Sequence, residues 1–276
     1  MRRHRGLVRL EARPRAHRVR DRLDPERGLS RHHRLPAALA RDAGRRRGVS
    51  AARALAERVG GGHEHAVLLD ARRRTIVAVR DIASQVVPGM SEEDGLEFAR
   101  RALRAHGFEQ EWVAPDVRFG RNTLKRYAEP SEPGVVLAMD DLWFVDVGPL
   151  WRNHECDYAE TFTVGSDPEQ LRMARDVREI FARTCRHWQE CRATGVEIYR
   201  FAAAQADSLG WRLDPEMAGH RLGVYPHAVF HDGLLACAEF TPSPGLWMLE
   251  IQIRHPDRPY SAFFEDLLLT AGDAAS

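Results

Sequence analysis

Acidic side chains sit inside runs of residues that otherwise belong in the middle of a β-sheet, and this conflict constrains the chain more than any other feature. Asp146 lies in Phe144-Val145-Asp146-Val147, Glu250 in Trp247-Met248-Leu249-Glu250-Ile251-Gln252-Ile253, and Glu265 in Phe263-Phe264-Glu265-Asp266-Leu267. An unpaired carboxylate in such surroundings is costly and normally becomes protonated. Asp157 follows Asp146 by eleven positions, across the polar loop Trp151 to Cys156. A strand, a loop and a return strand could therefore set the two carboxylates side by side. Four like charges repel unless cations neutralise them, and a pair of divalent ions bridged by carboxylates resolves the conflict. His220, in Gly219-His220-Arg221-Leu222-Gly223, offers a nitrogen ligand from a glycine-flanked turn. Alone, Asp146 reads as a turn or cap residue and His220 as a satisfied core histidine; the spacing is what lifts both.

The periodicity around these residues predicts the fold class. From Arg73, apolar residues recur at helical steps (Ile76, Val79, Ile82, Ala83, Val86) until Pro88-Gly89. Ser91 with Asp94 predicts a capping box for a second helix, with Leu96, Ala99, Ala102 and Leu103 on its apolar face and Gly107 at its end. Short apolar runs then predict strands over 135–138, 142–147 and 159–164. A long helix is expected from Asp167-Pro168 to about Arg192, and another, capped by Thr194 with Glu197, through Leu209. Strands return over 246–253 and 262–269. Helices before and between groups of strands predict an α+β domain, with helices packed on a curved, mostly antiparallel sheet.

Charge divides the chain. The first fifty residues hold sixteen arginines and no lysine against five acids, a balance of +11, which leaves −10 for the remainder of a chain whose total is +1. We read residues 1–62 as an Arg-rich flexible arm and 63–276 as the catalytic domain, because the head has no sustained apolar period with which to bury a core. The arm is either a nucleic-acid-binding segment or a misassigned start; the absence of interleaved aromatics favours the second. Four cysteines without metal-knuckle spacing predict free thiols and a reducing, cytoplasmic setting, and no apolar run is long enough for a membrane span.

The order Asp146, Asp157, His220, Glu250, Glu265 resembles that of the methionine aminopeptidase, prolidase and creatinase superfamily, over roughly Arg73 to Asp273. Val87-Pro88-Gly89-Met90-Ser91-Glu92 is similar to its early helix-turn signature. Phe144-Val145-Asp146-Val147-Gly148 and Asp157-Tyr158-Ala159-Glu160-Thr161-Phe162 are similar to its two metal strands, and Gly219-His220 is followed by Pro226-His227. The resemblance implies a pita-bread fold and two divalent ions, with Mn, Co, Fe and Zn equally open. Asp146 would chelate one metal, Asp157 and Glu265 would bridge both, and His220 with Glu250 would complete the other. Glu250 would also serve as a proton acceptor, and His227 would face the substrate and hydrogen-bond the scissile carbonyl or its tetrahedral intermediate. The implied chemistry is hydrolysis of an amide by metal-activated water, on a peptide or small amide, nearest to the Xaa-Pro aminopeptidase branch. A homodimer stays open.

This chain departs from that pattern where the superfamily's peptidases carry a further histidine, in a segment resembling Phe119 to Tyr127. Arg126 is read as holding that position, and Arg126 or Tyr127 is expected to bind a substrate carboxylate or phenolic partner. Glu250 is followed by Ile251 rather than proline, and Glu265 comes only fifteen positions later, which predicts a trimmed hairpin. The competing readings are a catalytically quiet pita-bread protein acting as a binding module, and nucleic-acid binding through the arm.

Overall fold

A computed structural model describes residues 48–127 and 129–274. These described residues belong to one compact unit. Helix α1 covers 48–56, followed by α2 (His65–Gln85), α3 (Glu92–Ala105), β1 (Gln110–Phe119), β2 (Asp141–Trp151), β3 (His154–Glu155), β4 (Tyr158–Val164), α4 (Pro168–Cys191), α5 (Gly195–Ser208), β5 (Arg212–Leu213), β6 (Met248–Arg254), β7 (Ser261–Leu267) and α6 (Ala271–Ala274). Every strand pairing is antiparallel, in the order β1-β2-β4-β7-β6-β5, with β3 paired to β2. This is the α+β pita-bread arrangement.

The strands alternate with a two-residue period, and the helices take one face. Val145 and Val147 of β2 and Val117 and Phe119 of β1 pack with Val79 and Ile82 of α2 and Ala99 and Leu103 of α3. Leu249, Ile251 and Ile253 of β6 pack with Met173, Val177 and Ile180 of α4 and Ile198 and Ala202 of α5. Residues of opposite parity, Asp146 and Glu250 among them, project from the other face of the sheet. Two apolar cores thus cover one side of the sheet, while Asp146, Glu250 and Glu265 point away from the helices.

The helix ends follow the expected chemistry. Ser91 accepts the Asp94 N–H at 3.1 Å, and Asp167 accepts from Glu169 and Gln170 ahead of Pro168 in the first turn of α4. Thr194 and Glu197 form a complete reciprocal capping box on α5. Because that cap is exposed and remote from the acids, Thr194→Ala is expected to lower stability by about 1 kcal/mol, read by denaturant titration, with metal content unchanged.

Three expectations differ from the structure. Residues 135–138 form only an isolated bridge, Ser91 to Val136, with Leu137 exchanging backbone hydrogen bonds with the turn at Gly89-Met90. Their partner is a turn, so no strand propagates. Strand β1 was not anticipated, because Pro115, two register shifts and the charges Glu111, Asp116 and Arg118 break its alternation; it lies at the edge of the sheet, where such irregularity is tolerated. The arm boundary at residue 62 falls inside the packed unit. Ala56 is buried, and Glu57 accepts hydrogen bonds from Ser243 N, Ser243 Oγ and Trp247 Nε1 at 2.6, 2.8 and 3.1 Å. The rest of the arm, residues 1–47, lies outside the described residues. Among those described, no helix is long and apolar enough to cross a membrane, and all four cysteines are free thiols.

Candidate metal centre

Residues directly opposed on neighbouring antiparallel strands share a face. Asp116 of β1 opposes Asp146 of β2, Asp146 opposes Ala159 of β4, Ala159 opposes Glu265 of β7, and Glu265 opposes Glu250 of β6. Four acids and one alanine therefore form a single row across five strands. The small side chain of Ala159 leaves the middle of the row open, and Asp157, two residues earlier, projects to the same side.

His220 closes the row from a loop. Its Nε2 lies 3.4 Å from Asp157 Oδ2, 3.6 Å from Glu250 Oε1 and 3.3 Å from Glu265 Oε1. Its Nδ1 lies 2.8 Å from the carbonyl oxygen of Arg221, so Nδ1–H donates there and Nε2 is the atom turned to the acids. Gly219 makes this approach feasible. It has φ +65°, and a Cβ there would fall 2.4 Å from the carbonyl oxygen of Met248, so a side chain would force His220 off its position. The Gly219 N–H also donates to Glu250 Oε2 at 3.0 Å, tying the turn to the acid it serves. Beneath them, the Tyr199 hydroxyl both donates to the Glu250 carbonyl and accepts its N–H, each at 3.2 Å, and so fixes β6 at this residue.

The electrostatics of the cluster are unresolved by protein groups alone. Burial, reinforced by Asp157 and Glu265, pushes the Asp146 carboxyl well above the usual carboxylate range. Burial and the charges of Asp157 and Glu250 do the same to Glu265. Burial raises Glu250 as well, although His220 opposes it. For His220, burial alone would depress the imidazole, but the adjacent Asp157 and Glu265 carboxylates outweigh it and hold it well above its ordinary value. Asp146 Oδ1 and Asp157 Oδ1 are sealed from solvent without a hydrogen-bond partner, and so is Glu265 Oε1, whose neighbour is His220 Nε2. Among the described residues, neither Lys nor Arg pairs with Asp146, Asp157, Glu250 or Glu265. Orphaned acceptor atoms converging with an imidazole nitrogen are what a hard or borderline divalent cation takes as ligands. Asp157, His220 and Glu265 already place one ligand atom each within 4.8 Å of one another. The residues present fit a metal, and the structure contains a candidate metal site.

The structure brings together all five residues singled out as ligands. His227 lies beside them, its ring stacked on His220 at 5.8 Å between centroids. Tyr127, half exposed, belongs to the same surroundings: burial, then the charges of Asp116, Asp146 and Asp157, raise its phenol, against a hydrogen bond from Ala114. Arg126 is engaged elsewhere, 3.5 Å from Asp214 and 2.5 Å from Glu216. Asp266, read as a neighbour rather than a ligand, pairs with Arg72 through two 2.6 Å hydrogen bonds on the helical face.

Sequence reasoning missed Trp112, Asp116, Glu155 and Tyr199. Trp112 sets its edge against both His220 and His227, at 5.5 and 5.4 Å. Asp116 extends the acid row, with its carboxylate 2.8 Å from the buried guanidinium of Arg118. The one available signal was an acid beside an apolar residue in Pro115-Asp116-Val117, and it is weak.

Solved structures similar to this chain include a prolidase from Pyrococcus horikoshii OT3 (18% identity, TM-score 0.63, 79% of this chain and 62% of the prolidase). An X-Pro aminopeptidase from Thermotoga maritima MSB8 is similar at 16% identity and TM-score 0.61, over 74% of this chain and 60% of the aminopeptidase. A methionine aminopeptidase from Thermotoga maritima is similar at 18% identity and TM-score 0.62, over 77% of this chain and 95% of that enzyme. This chain thus spans about three-fifths of the prolidase and X-Pro aminopeptidase chains and nearly the whole length matched in the methionine aminopeptidase. No curated protein matches by sequence. The profile of metallopeptidase family M24 matches residues 66–270, a span that holds the whole acid row and His220, and this chain belongs to that family.

Proposed function

We propose that this chain is a metal-dependent aminopeptidase of the Xaa-Pro type that holds two divalent cations. The observation that carries the reading is the convergence of His220 Nε2 on Asp157, Glu250 and Glu265 beside buried carboxylate oxygens that no protein donor satisfies. In this reading Asp146, Asp157, His220, Glu250 and Glu265 would hold the cations. Mn, Co, Fe and Zn all suit such a donor set. Bound cations supply Lewis acidity and lower the pKa of water toward neutrality. The chain's own residues do the rest: Glu250 accepts a proton, His227 meets the substrate beside the centre, and Tyr127 contributes a phenol at its rim. The similarity to a prolidase and an X-Pro aminopeptidase supports the choice of peptides with proline in the second position.

The test is turnover of the full chain with Mn(II), Co(II), Fe(II) or Zn(II) on a panel of Xaa-Pro, Met-Xaa and unrelated peptides. Release of the residue ahead of proline, abolished by chelation and restored by metal, is the expected result. Bound metal with no cleavage of any peptide would instead make the chain a binding module.

A further inference from the structure

We propose that Glu155 is the positioning residue of this centre: it holds His227 in the Nδ1–H tautomer, so that Nε2 is the ring atom offered to the substrate. The inference rests on the reading of His227 as a substrate-facing group. Glu155 belongs to the two-residue strand β3, in the polar loop between β2 and β4, and is 1% exposed. Its Oε2 accepts from His227 Nδ1 at 2.8 Å and from Gly223 N at 3.2 Å, and its Oε1 accepts from His227 N at 2.9 Å.

A carboxylate is an acceptor only, so the ring nitrogen bonded to it carries the proton. The two backbone donors alone would suffice to anchor the turn from Gly223 to His227. The third bond, to the ring, converts that anchor into a selector of tautomer. Rotation of the ring is blocked on two further sides. One face stacks on His220 with the planes 22° apart, and Trp112 meets it at 85°. Trp112 is itself held by a 2.8 Å hydrogen bond from its Nε1 to the Cys156 carbonyl.

A neutral imidazole free in water prefers its proton on Nε2, so Glu155 enforces the opposite state. With Nδ1 occupied, Nε2 points away from Glu155 with a lone pair and accepts a hydrogen bond from a substrate N–H. This assignment differs from the sequence expectation that His227 would hydrogen-bond the scissile carbonyl or its tetrahedral intermediate, since an unprotonated Nε2 donates to neither. It also gives a buried acid near the metal ligands a task that the ligand set does not explain.

The tautomer can be read without turnover. The full chain, labelled with 15N at histidine and loaded with diamagnetic Zn(II), is observed at mildly alkaline pH, with His227 assigned through His227→Gln. A protonated Nδ1 and an unprotonated Nε2 at His227 are expected. In Glu155→Gln the Nδ1–H form should lose its dominance and kcat should fall about 10- to 100-fold, with KM little changed and metal content unchanged. Glu155→Asp should recover part of both. An Nε2–H tautomer in the unsubstituted chain would overturn the proposal, whether or not the variants fold. So would a Glu155→Gln variant whose tautomer is unaltered. A chain that cleaves no peptide while His227 still shows Nδ1–H would sink the function proposed above and leave the role of Glu155 standing.

Discussion

Asp157→Ala is expected to strip the centre of metal and bring peptide cleavage below detection, while making the metal-free protein more stable than its unsubstituted counterpart. The two halves of this outcome come from one arrangement. Asp157 Oδ2 is one of three carboxylates around His220, and Oδ1 is buried without a hydrogen-bond donor, so Glu250 and Glu265 still face the imidazole when Asp157 is removed while the repulsion it imposes is lost. Its charge is the largest electrostatic contribution after burial to the raised Asp146 and Glu265 carboxyls, so removing it relieves both. A carboxylate kept for structure would behave in the opposite way, since breaking a buried, paired charge destabilises strongly. Elemental analysis of the purified variant beside Thr194→Ala checks the first half, and thermal unfolding in chelator checks the second. Unchanged metal stoichiometry in Asp157→Ala would remove this residue from the centre.

Much of this site is legible in the sequence because its physical signature is a contradiction that short stretches already display. An acid inside Phe-Val-Asp-Val or Leu-Glu-Ile has to be neutralised by something, and the eleven-residue step from Asp146 to Asp157 matches a strand, a loop and a return strand, which the structure forms as β2, β3 and β4. The helices were legible because their caps are local chemistry: Ser91, Asp167 and Thr194 each bond the backbone within three residues. What was not legible depends on pairing between distant segments. Asp116 acquires meaning only when β1 is laid against β2 in a register shifted twice, and Pro115 argues locally against any strand there. Glu155 reads as an ordinary loop acid until residues 223–227 arrive beside it. Arg126 and Tyr127 stay alternatives in the sequence because chain order alone does not say which of two adjacent side chains turns inward.

Metal removal should invert the pH dependence of stability, and the sign follows from the direction of the shifts. Asp146, Glu250, Glu265 and His220 all have folded-state pKa values above their ordinary ones. A group of that kind contributes stability fully present below its unfolded pKa and lost as pH rises through its folded pKa. In chelator, therefore, these four groups lower stability steadily from mildly acidic pH upward, as the acids ionise against one another and His220 loses its proton. Carboxylates lowered by surface arginines carry the opposite sign. They act in a lower window; Asp167, for example, is held at about 2 by its hydrogen bonds to Arg258. Burial also raises Glu92, Asp141 and Asp266, which lie outside the acid row and cancel in the comparison, whereas Asp116, opposite Asp146, follows the row. Cations reverse the slope of the centre because they bind ionised carboxylates and neutral imidazole, so their stabilisation grows with pH. One cation at a thousandfold excess over its Kd adds about 4 kcal/mol. At about 2–4 °C per kcal/mol for a domain of this size, Tm should rise on the order of 10 °C at alkaline pH, and far less under acid. Asp146→Asn should flatten the slope of the metal-free protein by removing one of the repelling charges without removing bulk. Metal-free and metal-loaded Tm curves that run parallel across the pH range would show that the acids are not neutralised by cations, and the row across the sheet would then need another explanation.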